Sequence, residues 1–300
     1  MKKQDAAKYD FIPHFETKEV AGVEFGGFGL DRHMMASGGK IPLRGKTLPE
    51  AMILCADKEK GRHLLTAFQW AALAYKWKSA KTLDDLDCDL HAETWQWIMG
   101  LFMEPNGSVD VLGSLDVTYK GSPYGRGTIN CAKGKPPTLQ CDGKGKNWLK
   151  KWSAGAFDGM KLYIAEAGDN GGFIPIVGTS MNGLLLSAGG EIKNGTATFC
   201  IVRHIDTDVT RGIDSGSRIT SLRYSDRDLK AFAIPATSND HGTPDLGNDR
   251  FWFYKGISSR AAFRGGDFGN GANAGVFALA LHYAPSHSTC YIGFRAAKAL

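Results

Sequence analysis

Glycine spacing near the C-terminus constrains this chain more than any other feature. Between Phe263 and Ala296, Gly265, Gly266, Gly271, Gly275 and Gly293 surround two apolar stretches, Val276–Leu281 and Ile292–Phe294. Glycine permits turns and close backbone approach that a Cβ resists. Val276–Leu281, a short apolar run bounded by turn signals, therefore reads as a buried strand. Strand alternation puts Phe277, Leu279 and Leu281 on one face and Ala280 and His282 on the other. By the same rule Phe251 and Phe253 share a face opposite Trp252 and Tyr254. Thr289, Cys290 and Tyr291 are consecutive and cannot all face one side of a regular strand, so a loop or bulge is expected there. Arg264 and Arg295 each follow a Phe, so their stems can pack while the guanidinium forks bond nearby carbonyl or carboxylate groups.

Upstream, Gly22–His33 reads as a strand entering the domain. Glu50–Lys60 carries a helical apolar stripe, with Gly61 placed where a helix would end. A second helix follows up to Ala74, with Thr66 as N-cap and Gln69 three residues later completing a capping box. The middle, Gly107 to Asp249, is rich in Gly, Asp, Asn and Ser, and reads as long insertions between core strands. Strand candidates within it are Lys161–Ala165, Thr196–His204 and Leu229–Ile234. Residues 1–18 read as a polar lead-in and 19–300 as one domain, large enough to bury a full core. The 36 basic against 31 acidic residues leave a net charge of only +5, too thinly spread to argue for a nucleic-acid partner. No apolar run approaches the roughly twenty residues of a membrane span, and residues 1–10 lack the apolar core of a secretory signal.

The strings Gly271-Ala-Asn-Ala-Gly-Val-Phe-Ala-Leu279, Ala284-Pro-Ser286 and Ile292-Gly-Phe-Arg-Ala-Ala297 together resemble the C-terminal variable region of diversity-generating retroelement variable proteins. Those are binding proteins in which a retroelement randomises chosen codons at adenines while intervening scaffold residues stay fixed. His63-Leu-Leu-Thr66 with Trp70-Ala71, and His91-Ala-Glu-Thr-Trp-Gln-Trp97, resemble segments of the formylglycine-generating-enzyme branch of the C-type lectin fold. The resemblance implies an α+β, C-type lectin fold of that type, loop-rich with long insertions and with its variable region at about 250–297. It implies that Ala280, His282, Tyr283, His287, Thr289, Cys290 and Tyr291 are variable ligand-binding positions, joined by Asp267, Phe268 and Gly269 and by Phe251 and Phe253. Randomising both adenines of an AAC codon cannot produce Lys, Glu, Gln, Met or Trp, and none of these positions holds one. The implied role is recognition of a host-surface or other macromolecular ligand by a viral tail-fibre or receptor-binding component, with the N-terminus available to other virion proteins.

Kinship to an oxidase branch raises the alternative of a formylglycine-generating-type enzyme. That activity needs a C-terminal cysteine pair to hold copper, for which thiolates are suited. Only Cys290 lies in the corresponding stretch; Cys200 is the next upstream. No catalytic residue, metal site or cofactor is therefore expected. His91 and Glu93 have the His-x-Glu spacing of a zinc deaminase, but no Pro-Cys-x-x-Cys follows. Cys131 and Cys141 read as lone loop cysteines, and Lys144–Trp152 as a solvated basic loop.

Overall fold

The computed structural model describes residues 11–20, 23–31, 34–37, 41–59, 61–79, 94–113, 123–141, 154–167, 172–180, 183–187, 192–223 and 227–299. His91, Glu93 and the basic stretch Lys144–Trp152 lie outside them.

Two strands, β1 (Phe11–Val20) and β2 (Val23–Asp31), form an antiparallel hairpin, and β3 (Ala36–Ser37) pairs with β4 (Ile41–Pro42). Strand pairing thus begins at Phe11, within the stretch read from sequence as a lead-in. Helix α1 (Leu48–Lys58) starts where Thr47 and Glu50 cap one another, with Pro49 in the first turn. Proline suits that position because the first helical N–H groups have no partner within the helix. Strand β5 (Arg62–Leu64) follows Gly61, whose φ is +83°. Helix α2 (Ala67–Ser79) opens on the capping box expected from sequence: the Gln69 N–H donates to Thr66 Oγ1 at 3.0 Å and the Thr66 N–H to Gln69 Oε1 at 3.1 Å.

Strand β6 (Trp95–Met103) is buried along its whole length. One edge pairs with β17 (Arg260–Gly265). The other carries β7 (Val109–Leu112) and, at the opposite end, β19 (Ile292–Phe294) in parallel. Burial along every residue is what a strand covered on both faces requires, and it explains the run Trp-Gln-Trp-Ile-Met-Gly-Leu-Phe-Met, apolar but for Gln96.

Six strands between Tyr124 and Ile205 close on themselves. They are β8 (Tyr124–Asn130), β9 (Thr138–Cys141), β10 (Lys161–Ile164), β11 (Gly172–Ser180), β12 (Gly183–Leu186) and β13 (Gly195–Ile205). Their order around the ring is β10-β11-β12-β9-β8-β13, returning to β10, and every pairing is antiparallel. The ring encloses its own core, including Ile129, Leu139, Phe157, Leu162, Ile174, Leu184 and Phe199. The far end of β13 leaves the barrel and pairs with β7, so one strand belongs to both layers.

The sheet continues from β17 through β18 (Gly275–Tyr283) to β16 (Arg250–Phe253), β14 (Ser217–Leu222) and β15 (Pro235–Asn239). Strand β20 (Ala296–Ala299) inserts between β2 and β5, bringing the two ends of the described chain into one four-stranded sheet. Beside it, buried Asp31 is paired with Arg62 and Lys58, and Glu59 with Lys298.

Two expectations are corrected. Among the described residues strand outweighs helix by 48% to 14%, so the chain is mostly β. A closed antiparallel barrel with further strands replaces the α+β, C-type lectin architecture implied by the resemblance. The supposed insertions are in large part that barrel: Lys161–Ala165 and Thr196–His204 do fall on β10 and β13. Leu229–Ile234, by contrast, is no strand. Its first residues belong to the short helix α3 (Arg227–Ala231), and Ala233 takes a positive φ of 50°. No helix among the described residues is long and apolar enough to cross a membrane.

Thr66→Ala should lower stability by about 1 kcal/mol, a typical N-cap loss, as read by chemical denaturation. An unchanged midpoint would show that the cap contributes nothing.

Candidate functional site

Strand β18 organises the C-terminal segment, and buried polar groups clamp its first residues. The guanidinium of Arg264, fully buried on β17, donates to Phe277 O at 2.9 Å, Phe232 O at 2.7 Å and Ala233 O at 3.0 Å. Trp70 Nε1 donates to Val276 O at 2.7 Å, and the Phe277 N–H donates to Asp249 Oδ2 at 2.7 Å. A Cβ on Gly275 would collide with that same Asp249 carboxylate. Glycine here answers a close approach rather than a turn. Burial pushes the Asp249 carboxyl up to about 6 against the opposing pull of the Phe277 and Ala278 N–H groups and Arg264, and it pulls Arg264 down to about 10.

Beyond β18 the chain runs through Ala284–Tyr291 to β19, held by its backbone. Leu48 N donates to Pro285 O, Gly45 N to Thr289 O and Trp95 N to Tyr291 O, each at 3.0 Å. The His287 N–H closes a turn onto Ala284 O at 3.0 Å. These bonds do not depend on which side chains the loop carries.

Several of the sequence-derived positions meet at this end of β18. The Tyr283 ring stacks on His287 with centroids 3.7 Å apart, and His282 lies 4.0 Å from Tyr283. The Tyr283 and Tyr291 hydroxyls share a hydrogen bond of 2.6 Å. Thr289 is half-buried and Cys290 is exposed with a free thiol. Phe253 is half-buried on the neighbouring β16, where Ser215 Oγ accepts from its N–H at 2.9 Å and donates to its carbonyl at 2.8 Å.

Other positions lie elsewhere. Asp267, Phe268 and Gly269 sit on the turn Phe268–Asn273 that leads into β18, at the opposite end of that strand from Tyr283. At about 3.3 Å per residue that separation is roughly 26 Å along the strand. Asp267 caps the turn, its Oδ1 accepting from Gly269 N at 2.8 Å and Asn270 N at 3.1 Å. Phe251 and Ala280 are wholly buried. The alternation expected for Phe251 and Phe253 holds, their rings being 5.0 Å apart, yet that shared face is partly core.

Sequence reasoning missed the floor of this surface. Phe263 contacts His282 at 5.2 Å and Tyr283 at 5.7 Å, and it also packs edge-on against Trp95 and Trp97. Trp252 completes the group, 5.3 Å from Trp95. The tryptophans of the segment Trp95–Trp97 were visible as a motif, but only strand pairing brings them beneath residues far along the chain. Arg260 stacks over the exposed Tyr254 ring at 4.9 Å and bounds the group on one side.

Burial pulls His282 down to about 4, with His287 and Arg260 adding repulsion, and burial also lowers His287. The Tyr283 hydroxyl is pushed up to about 12 by burial and by its Tyr291 partner. Among the described residues no group of three or more His, Cys, Asp or Glu side chains could hold a metal ion. Cys200 lies within the core, where burial pushes its thiol up to about 12, the opposite of what thiolate chemistry needs. No protein-family model matches the chain, and comparison with curated proteins finds no match.

Two stability effects of opposite sign follow. The folded His282 resists its proton, so its contribution is present above the unfolded value near 6.5 and is lost as pH falls toward 4. Fully buried His63, pulled down to about 4, acts in the same direction. Asp249 holds its proton more tightly when folded, so its contribution is present below about 3.8 and is lost as pH rises through 6. Melting temperature measured between pH 4 and 6.5 should therefore climb more steeply in Asp249→Asn than in the unaltered chain, and less steeply in His282→Gln. Parallel curves for all three would refute the assignment. Arg264→Met should cost about 3–5 kcal/mol, the range for breaking a buried charged network, and a loss below 1 kcal/mol would show that the clamp is incidental.

Proposed function

We propose that this chain is a ligand-binding protein whose C-terminal segment displays a diversified surface generated by a retroelement, and that it recognises a macromolecule, as a viral tail or receptor-binding component would. One observation carries most of this reading: the Ala284–Tyr291 loop is fixed through its backbone, with Cys290 exposed, Thr289 half-buried, and His287 and Tyr291 half-buried against Tyr283. Side chains that do not hold their own loop can be exchanged without losing it, and solvent-facing exchanges usually change stability by less than about 0.5 kcal/mol. The resemblance of the glycine-punctuated string to variable-protein scaffolds supports the reading from the sequence side.

Tyr283, Tyr291 and Phe253 supply rigid contact area that loses little entropy on binding, as aromatic side chains do in antibody paratopes. His282, His287 and Thr289 add polar contacts. A protein ligand suits such a mixture better than a calcium-dependent sugar site, which would need a convergent set of oxygen ligands.

The deciding experiment is to sequence the DNA beside the gene for a near-identical copy of the region encoding residues 250–297. A copy with adenines at the codons of the named positions is expected; its absence overturns the retroelement reading. A stability series tests the surface itself. Thr289→Ala and Cys290→Ser should each shift stability by less than about 0.5 kcal/mol, while Phe251→Ala should cost about 3–5 kcal/mol as a core truncation. Equal losses at all three sites would place the loop side chains in the core and remove the basis of the proposal.

A further inference from the structure

The six-stranded barrel is separate from the surface described above, and its two ends differ. At the end where β10 begins, the turn 154–159 folds over the opening. Phe157 enters the barrel core there, its N–H bonded to Thr179 Oγ1 at 3.0 Å. Gly155 N and Gly159 N tie the turn to β11 through Thr179 O and Ile176 O. That end is stoppered.

Among the described residues nothing closes the other end. Where β8 and β10 finish and β13 begins, a cavity of about 240 Å³ reaches into the barrel. Its floor is apolar: Ile129, Ile164 and Ile174, each from a different strand and each part of the barrel core. Closed sheets have no free edges to bind through, so the mouth is where a small barrel takes a ligand. Water held against three isoleucines makes few hydrogen bonds, and an apolar group that displaces it gains affinity.

The rim supplies the polarity. Glu166 is already engaged, its Oε2 accepting from Thr198 N at 2.6 Å. Asn194 turns its Oδ1 toward the Cys131 N–H, which leaves its amide NH₂ as a donor. Lys193 lines the mouth, is exposed, and has no carboxylate partner among the described residues. The rim thus carries one carboxylate, tied to β13 through Thr198, and one cation and amide donor at Lys193 and Asn194; over an apolar floor those donors are complemented by a small molecule with an apolar body and an anionic head.

We propose that the open mouth of the β8–β13 barrel binds a small anionic amphiphile, its apolar body on Ile129, Ile164 and Ile174 and its head at Lys193 and Asn194. The site is independent of the variable-surface reading, since the two use different residues.

The test titrates the full chain with anilinonaphthalene sulfonate, followed by fluorescence, with octanoate as competitor. One saturable site displaced by octanoate is expected. Lys193→Glu should weaken both molecules about five-fold or more, the scale of an exposed charge contact. Ala167→Trp, which fills the mouth from its half-buried rim, should abolish binding with the melting temperature kept. Should that variant unfold, Lys193→Glu decides alone, because its side chain lies in solvent. Absence of saturable binding, octan-1-ol competing as well as octanoate, or binding that follows Tyr291→Ala rather than the barrel variants would each overturn the proposal.

Discussion

The buried guanidinium of Arg264 is the constraint around which the C-terminal half is arranged. Taking that charge from water is costly, and it is tolerated because the planar fork reaches three carbonyls at once, with Asp249 supplying an opposing charge nearby. A lysine could not span Phe277, Phe232 and Ala233 with the same geometry. One carbonyl belongs to β18 and two to the segment after α3, so a single side chain fixes the central strand against a distant part of the chain. The positive φ of Ala233 makes sense in this light. A residue with a Cβ adopts it at some cost, and two charge-assisted hydrogen bonds to that corner offset the strain.

From this clamp follows a separation of tasks along β18. Its first half is anchored by Arg264, Asp249 and Trp70, all acting on its main chain. Its last residues, His282 and Tyr283, lean instead on the aromatic floor of Phe263 and Trp95. The loop beyond is again held by main-chain bonds. Rigidity therefore comes mainly from main-chain bonds, to which the Tyr283–His287 stack and the Tyr283–Tyr291 hydrogen bond add side-chain contacts.

Local signals in the sequence were legible where they act within a few residues. Thr66 with Gln69 announced a helix start, and Val276–Leu281 announced a buried strand, because capping and turn chemistry need no distant partner. The barrel was not legible for the converse reason. Its strands include Tyr-Gly-Arg-Gly-Thr-Ile-Asn and Gly-Phe-Ile-Pro-Ile-Val-Gly-Thr-Ser, in which glycine and proline dilute the β signal. Closure also depends on β13 pairing with β8 on one edge and β10 on the other, a non-local fact. Alternation correctly set Phe251 and Phe253 on one face, but it could not reveal that Phe251 lies deep enough to be sealed.

Burial also limits how diverse the proposed surface can be. Phe251 has no exposed area, so a smaller occupant leaves a cavity costing several kcal/mol. Ala280 is sealed opposite Phe263 on β17, where a larger residue overpacks the core at about 1–3 kcal/mol. Asp267 spends its side chain on two turn amides, and most replacements would forfeit about 1 kcal/mol. A domain of ordinary stability, about 5–15 kcal/mol, can absorb one such loss but not all of them together. Randomisation that reached every position equally would thus yield folded proteins varied most freely at Thr289 and Cys290, whose side chains make no packing contact with Tyr283. Under the proposed function, the loop after β18 would decide recognition, while the buried positions would filter which variants survive folding.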